Sequence, residues 1–135
     1  MKKEKNRFKQ IAMYLVVILF IGCETATDTK IIVQNNSNKT ISINAESNYD
    51  LDKIVHDIAA KKSKTLIYLT RRGGSDIAEN PADYLSVFNI TNAAGDSIQK
   101  KYKNTENWEI DISGSGIVSK SYVHTYTFIV NDSDF

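Results

Sequence analysis

Cysteine occurs once in the 135 residues, at Cys23, so the chain cannot close an internal disulfide and its stability must come from a packed core. Histidine occurs twice, at His56 and His124, and neither has a second histidine at i+2 or i+4. A zinc site, which needs three or four converging nitrogen, sulfur or oxygen ligands, therefore has no visible seed. Proline is found only at Pro81. The longest apolar run, Ile11 to Ile21, has eleven residues, short of the roughly 20 that a helix needs to span a bilayer. Internal repeats and low-complexity tracts are absent. No serine is framed as a nucleophile elbow, so a triad built from His124 would be arbitrary. Gly73-Gly74 follows Arg71-Arg72 without the helix and lysine of a phosphate loop and reads as a turn.

What is present begins with the N-terminus. Lys2, Lys3, Lys5, Arg7 and Lys9 against Glu4 make a cationic front end, and the short apolar run and Gly22 follow. This is the pattern of an export signal, to be left out of fold reasoning. Phe20-Ile21-Gly22-Cys23 resembles a lipobox, the signature of bacterial lipoproteins, with Phe20 where Leu is commonest. The resemblance implies cleavage between Gly22 and Cys23, a diacylglycerol on the Cys23 thiol, usually an acylated amino group, and no other cofactor. One acyl chain holds a protein only reversibly, so two or three are what make such an anchor stable.

Without residues 1–22 the chain keeps twelve basic and fifteen acidic side chains, a formal charge of −3. That balance offers no basic stripe for nucleic acid and no polybasic surface for anionic lipid. Residues 23–29 read as the lipidated cysteine and a short polar tether. Eight steps from Cys23 to Ile31 reach at most about 28 Å, which keeps the domain near the membrane.

From residue 30 to 135 the pattern has period two. Ile31 and Val33, then Ile41, Ile43 and Ala45, alternate with polar residues around Asn35-Asn36-Ser37-Asn38, which predicts a hairpin. Further strands are expected at Lys64 to Thr70, Tyr84 to Asn92, Ser97 to Lys103, Trp108 to Ser113 and Tyr122 to Asn131, with Asn92 to Asp96 as a hairpin loop. Leu51, Ile54, Val55 and Ile58 fit a helical template, but Lys53 to Ile58 pairs equally well as a strand, and the strand or a short irregular turn is favoured. The predicted fold is all-β, an immunoglobulin-like β-sandwich of about seven strands.

The polar residues suggest little chemistry. His124 shares a strand face with Tyr122, Tyr126 and Phe128 and is expected to be half-buried. Asp76, Glu79 and Asp83 bracket Pro81 in the longest loop without calcium-loop spacing, and are expected to be solvated. Arg71 and Arg72, as neighbours on a strand, must point to opposite faces. Trp108, Tyr126 and Phe128 are expected in the core. Tyr49, Tyr84 and Tyr102, near strand ends and loops, are the candidates for exposure and for ligand binding.

IIVQNNSNKTISI, AKKSKTLIYL, NWEIDI and YTFIVNDSDF together resemble the small lipoproteins of Gram-negative gut-commensal bacteria. That resemblance implies a β-sandwich held at the outer membrane, on its periplasmic or cell-surface side, and brings no catalytic residues. Glu24, where an aspartate would retain an enteric-type lipoprotein at the inner membrane, agrees with outer-membrane delivery. The expected function is a non-enzymatic, lipid-anchored binding or structural module whose partner is an envelope protein. The alternative is a glycan-binding accessory protein using exposed aromatics.

Overall fold

The computed structural model describes residues 25–49, 53–117 and 120–135. The expected signal peptide, Gly22, Cys23 and Leu51 lie outside these residues. Among the described residues, seven strands form two sheets and the only helical pieces are short 3-10 turns. In chain order the strands are β1 (Ala26–Asn35), β2 (Ile41–Ser47), β3 (Lys53–Ile58), β4 (Ser63–Arg72), β5 (Leu85–Asn92), β6 (Trp108–Ser115) and β7 (Ser121–Val130). One sheet has the order β4-β1-β7-β6 and the other β3-β2-β5. The segment 53–58 is a strand, paired along β2.

β1 lies inside the larger sheet, antiparallel to β4 and parallel to β7. Its alternation works as period two requires: Thr27, Thr29, Ile31, Val33 and Asn35 point inward and are buried. β7 contributes His124, Tyr126, Phe128 and Val130 to the same face. The smaller sheet answers with Ile41, Ile43, Ala45, Phe88 and Ile90.

Two differences from expectation concern the chain's path. Ala26 to Thr29, expected in the tether, are the first residues of β1, because they find partners on both sides in Arg72 to Leu69 and Thr27 to Thr29 register with Tyr122 to His124. β1 and β2 are not a hairpin. The chain crosses between sheets at 36–40, and buried Asn35 fastens the crossing: its Nδ2 donates to the carbonyls of Lys39 at 2.8 Å and Ile58 at 2.9 Å, while its Oδ1 accepts from the Ser37 amide and hydroxyl. An asparagine buried there is stable because each of these polar atoms is satisfied.

The expected strand at 97–103 does not form. Only Ser97 bridges back, to Thr91, and the chain then turns to place Tyr102 half-buried on Phe88, ring centroids 5.3 Å apart. The Tyr102 carbonyl accepts the Trp108 indole N–H at 2.7 Å. Trp108 in turn packs on Phe128 at 5.0 Å and Phe88 at 5.9 Å, joining the two sheets at this end of the core. Ile110, on the same face but past the cover of the smaller sheet, stays 38% exposed.

Trp108→Ala is expected to cost about 3–5 kcal/mol, since it opens a cavity between the sheets and strands the Tyr102 carbonyl. Urea unfolding followed by far-ultraviolet circular dichroism measures it, and a loss below about 1 kcal/mol would deny the aromatic cluster this role.

Candidate functional site

The larger sheet extends beyond the smaller one at the end where β1 begins, and the 73–80 loop folds over that uncovered face. Gly73 lets the chain leave β4 with φ at +93°, a conformation that costs glycine little. Gly74 then passes so close to the β6–β7 turn that a Cβ would stand 2.3 Å from the Lys120 carbonyl oxygen. Thr27 accepts the Ser75 amide at 3.1 Å and donates its hydroxyl to the Gly73 carbonyl at 2.8 Å, fixing the loop to β1.

Beneath the loop lies a network of polar side chains from four segments. Arg71 points inward because its partner Thr27 does, whereas Arg72 points out. The Arg71 guanidinium reaches the Glu79 carboxylate at 2.5 Å and donates to the Tyr84 hydroxyl at 2.6 Å. Tyr84 donates that hydroxyl's proton to the same Glu79 oxygen. The Glu79 amide donates to the Tyr126 hydroxyl at 2.9 Å. Tyr126 lies 3.2 Å from His124 Nδ1, and His124 Nε2 lies 2.6 Å from the Ser75 carbonyl. A carbonyl only accepts, so Nε2 of His124 donates to Ser75, and Nδ1 is left facing the Tyr126 hydroxyl.

Charge and burial act together here. The Tyr84 hydrogen bond, aided by Arg71, holds the Glu79 carboxyl below its ordinary value against the opposing cost of desolvation. Burial, and then the bond to Glu79, raises the Tyr84 phenol. Burial raises Tyr126 as well. Glu79 is thus held as the anion and both tyrosines as neutral phenols. An open cleft of about 300 Å³ adjoins the network between Arg71, Ser75, Glu79 and His124. Both nitrogens of His124 and the hydroxyls of Tyr84 and Tyr126 already serve other members, so the arrangement acts first as a clasp that ties loop to sheet. Thr29 Oγ1, buried in β1, makes no hydrogen bond of standard geometry among the described residues, yet lies close enough to the Tyr84 phenol to oppose the rise that burial causes there.

Of the three candidate tyrosines, Tyr49 and Tyr84 are brought together and Tyr102 stands apart. Tyr49 is 53% exposed, as expected. Tyr84, expected to be exposed, is fully buried, because it is the last residue of the 3-10 turn Pro81–Tyr84 that carries the loop into the core. Its ring lies 5.5 Å from Tyr49 and 6.1 Å from Tyr126. Tyr102 lies at the opposite end of the sandwich. His124, expected to be half-buried, is fully buried at 1% exposure. Glu79, expected to be a solvated loop carboxylate, is bound as described. The one signal that could have found it is its spacing from Tyr84 across Pro81. A second depression, of about 340 Å³, opens between the free edges of β3 and β4 and is lined by Tyr49, Ile54, Leu66, Tyr68 and Leu69.

No family model, no curated protein and no solved structure matches the chain. The fold defines an all-β domain of two packed sheets.

Because the native Glu79 value is lowered, its contribution to stability is complete above the unfolded carboxyl value of about 4.5 and fades as pH falls through the lower native value. The melting temperature of Glu79→Gln should therefore lie below that of the unaltered chain at pH 7, and the gap should close as pH falls below 4; a gap independent of pH would contradict the clasp. Thr29→Val removes a buried hydroxyl that lies beside the Tyr84 phenol without a hydrogen bond of standard geometry, and is expected to change stability by no more than about 1 kcal/mol in thermal unfolding.

Proposed function

We propose that the chain is a lipid-anchored envelope protein of bacteria, a non-enzymatic module that binds or braces another envelope component. The observation that carries this reading is the placement of Cys23, directly after the cationic and apolar segments and three residues before the first strand. Lipid on that cysteine would hold the domain at the outer membrane, on its periplasmic or surface side. Anchoring makes even a weak contact with a neighbouring protein effectively intramolecular. The free edges of β3, β4 and β6 offer strand positions to such a partner. The closed hydrogen bonding around Glu79 and His124 favours a structural use of these residues over a catalytic one.

Two facing, mostly antiparallel sheets agree with the β-sandwich part of the expected fold. The partition, with strands 1, 4, 6 and 7 against 2, 3 and 5, differs from the ABED and CFG sheets of immunoglobulin domains. The glycan-binding alternative is the weaker one, since Tyr84 is inside and Tyr102 lies far from Tyr49.

Fractionation tests the reading. The unaltered protein is expected in the membrane pellet, cleaved and with lipid mass on Cys23, and Cys23→Ala either in the soluble fraction or uncleaved; a Cys23→Ala chain that is cleaved and pellets like the unaltered one would contradict the anchor. Protease treatment of intact cells, read on a C-terminal epitope, then assigns the side: cleavage places the domain outside, and protection until the outer membrane is opened places it in the periplasm.

A further inference from the structure

The two ends of the sandwich differ in polarity. Among the described residues, six large apolar side chains are exposed: Tyr49, Val55, Tyr68, Ile77, Ile110 and Ile117. Val55, Tyr68 and Ile110 sit within strands. The three in loops all fall at the end where β1 begins. Tyr49 follows β2, whose last residue pairs with Leu85; Ile77 is in the loop that leaves β4 at Arg72; Ile117 is in the turn after Ser115, which pairs with Ser121. Ile77 is 73% and Ile117 100% exposed. Scattered exposed apolar residues are ordinary, but here three of the six gather in the loops of one end.

The loops of the far end expose charge instead, Lys39, Lys61, Lys62, Lys101 and Lys103 with Asp96, Glu106 and Asp132, and no large apolar side chain among the described residues. The chain outside the described residues joins at the apolar end. There the Thr25 carbonyl accepts the Gly73 amide at 2.8 Å, and its hydroxyl accepts the Gly74 amide at 2.8 Å. Thr25 is thus held to the loop that carries Ile77.

We infer that this end of the domain rests on the lipid surface, with Tyr49, Ile77 and Ile117 entering the boundary between headgroups and acyl chains. The inference builds on the anchor proposed for Cys23. Three steps separate Cys23 from Ala26, about 10 Å of chain, whereas the ten residues of β1 span roughly 30 Å. The lysine-rich end therefore cannot fold back onto the bilayer that holds Cys23 unless the domain lies flat. Charges at the apolar end are mixed, Arg72 and Lys120 against Asp76 and Asp83, so the contact is apolar in origin and depends little on salt. It orients the domain upright and turns its charged end toward whatever lies beyond the membrane.

The test uses the full lipidated chain, in which the Cys23 thiol is occupied. Ile77→Cys, Ile117→Cys and Lys39→Cys, each carrying an environment-sensitive fluorophore, are reconstituted in vesicles of phosphatidylethanolamine and phosphatidylglycerol containing brominated lipid. Quenching several-fold stronger at positions 77 and 117 than at 39, and unchanged by added salt, is expected. With the lipid on Cys23 verified by mass, equal quenching at all three positions, or none at 77 and 117, would overturn the inference and leave the anchor standing. A chain carrying no lipid on Cys23 would remove both.

Discussion

The pairing of β1 on both sides is the constraint from which the rest follows. A strand at a sheet edge leaves half its backbone groups to solvent, but β1 satisfies them against β4 on one side and β7 on the other for nearly its full length. The first and last strands of the domain are thereby joined, so neither terminus hangs free of the larger sheet. The pairing starts at Ala26, one residue into the described chain. The parallel match with β7 also fixes which inward side chains share a level: Thr29 with His124, Ile31 with Tyr126, Val33 with Phe128.

Along this shared face the two ends of the core are built from different materials. Toward the far end, Phe88, Trp108 and Phe128 meet across the sheets, and apolar burial is the cohesive force. Toward the end where the chain enters, the smaller sheet stops short and a loop must cover the inner face. A loop brings backbone polar groups into the interior, and these need partners. Tyr126 takes the Glu79 amide, His124 takes the Ser75 carbonyl, and Arg71 with Tyr84 neutralises the carboxylate that arrives with the loop. The cluster that looks most like a reactive site is thus the means by which an irregular segment closes the sandwich.

Period two made much of this legible. Ile31, Val33, Ile41, Ile43, Tyr126 and Phe128 announced their burial by alternation alone, and Trp108 did so through its parity with its strand. Alternation reports which face a residue takes, and says nothing of which strand lies beside it. That is why β1 and β2, adjacent in sequence, were expected to pair when they belong to different sheets. The segment from Ser97 to Lys103 alternates too, with Ile98 and Tyr102 packed on the core, yet its backbone turns away because Trp108 captures the Tyr102 carbonyl. The clasp was hidden for a related reason. Arg71, Glu79 and Tyr84 are separated by a loop without periodicity, and only the folded path makes a carboxylate, a guanidinium and a phenol share one point. Tyr84 shares parity with the buried Phe88 and Ile90, and that parity is a better guide to its place than its position at the start of a strand.

The central claim is that Ala26 to Thr29 are strand and not leash. Amide hydrogen exchange on the folded domain tests it most directly. Protection of the Thr27 to Thr29 amides comparable with that of Ile31 and Val33 is the result this account requires. Exchange of those amides at the rate of an unstructured chain, with protection setting in only at Lys30, would contradict it.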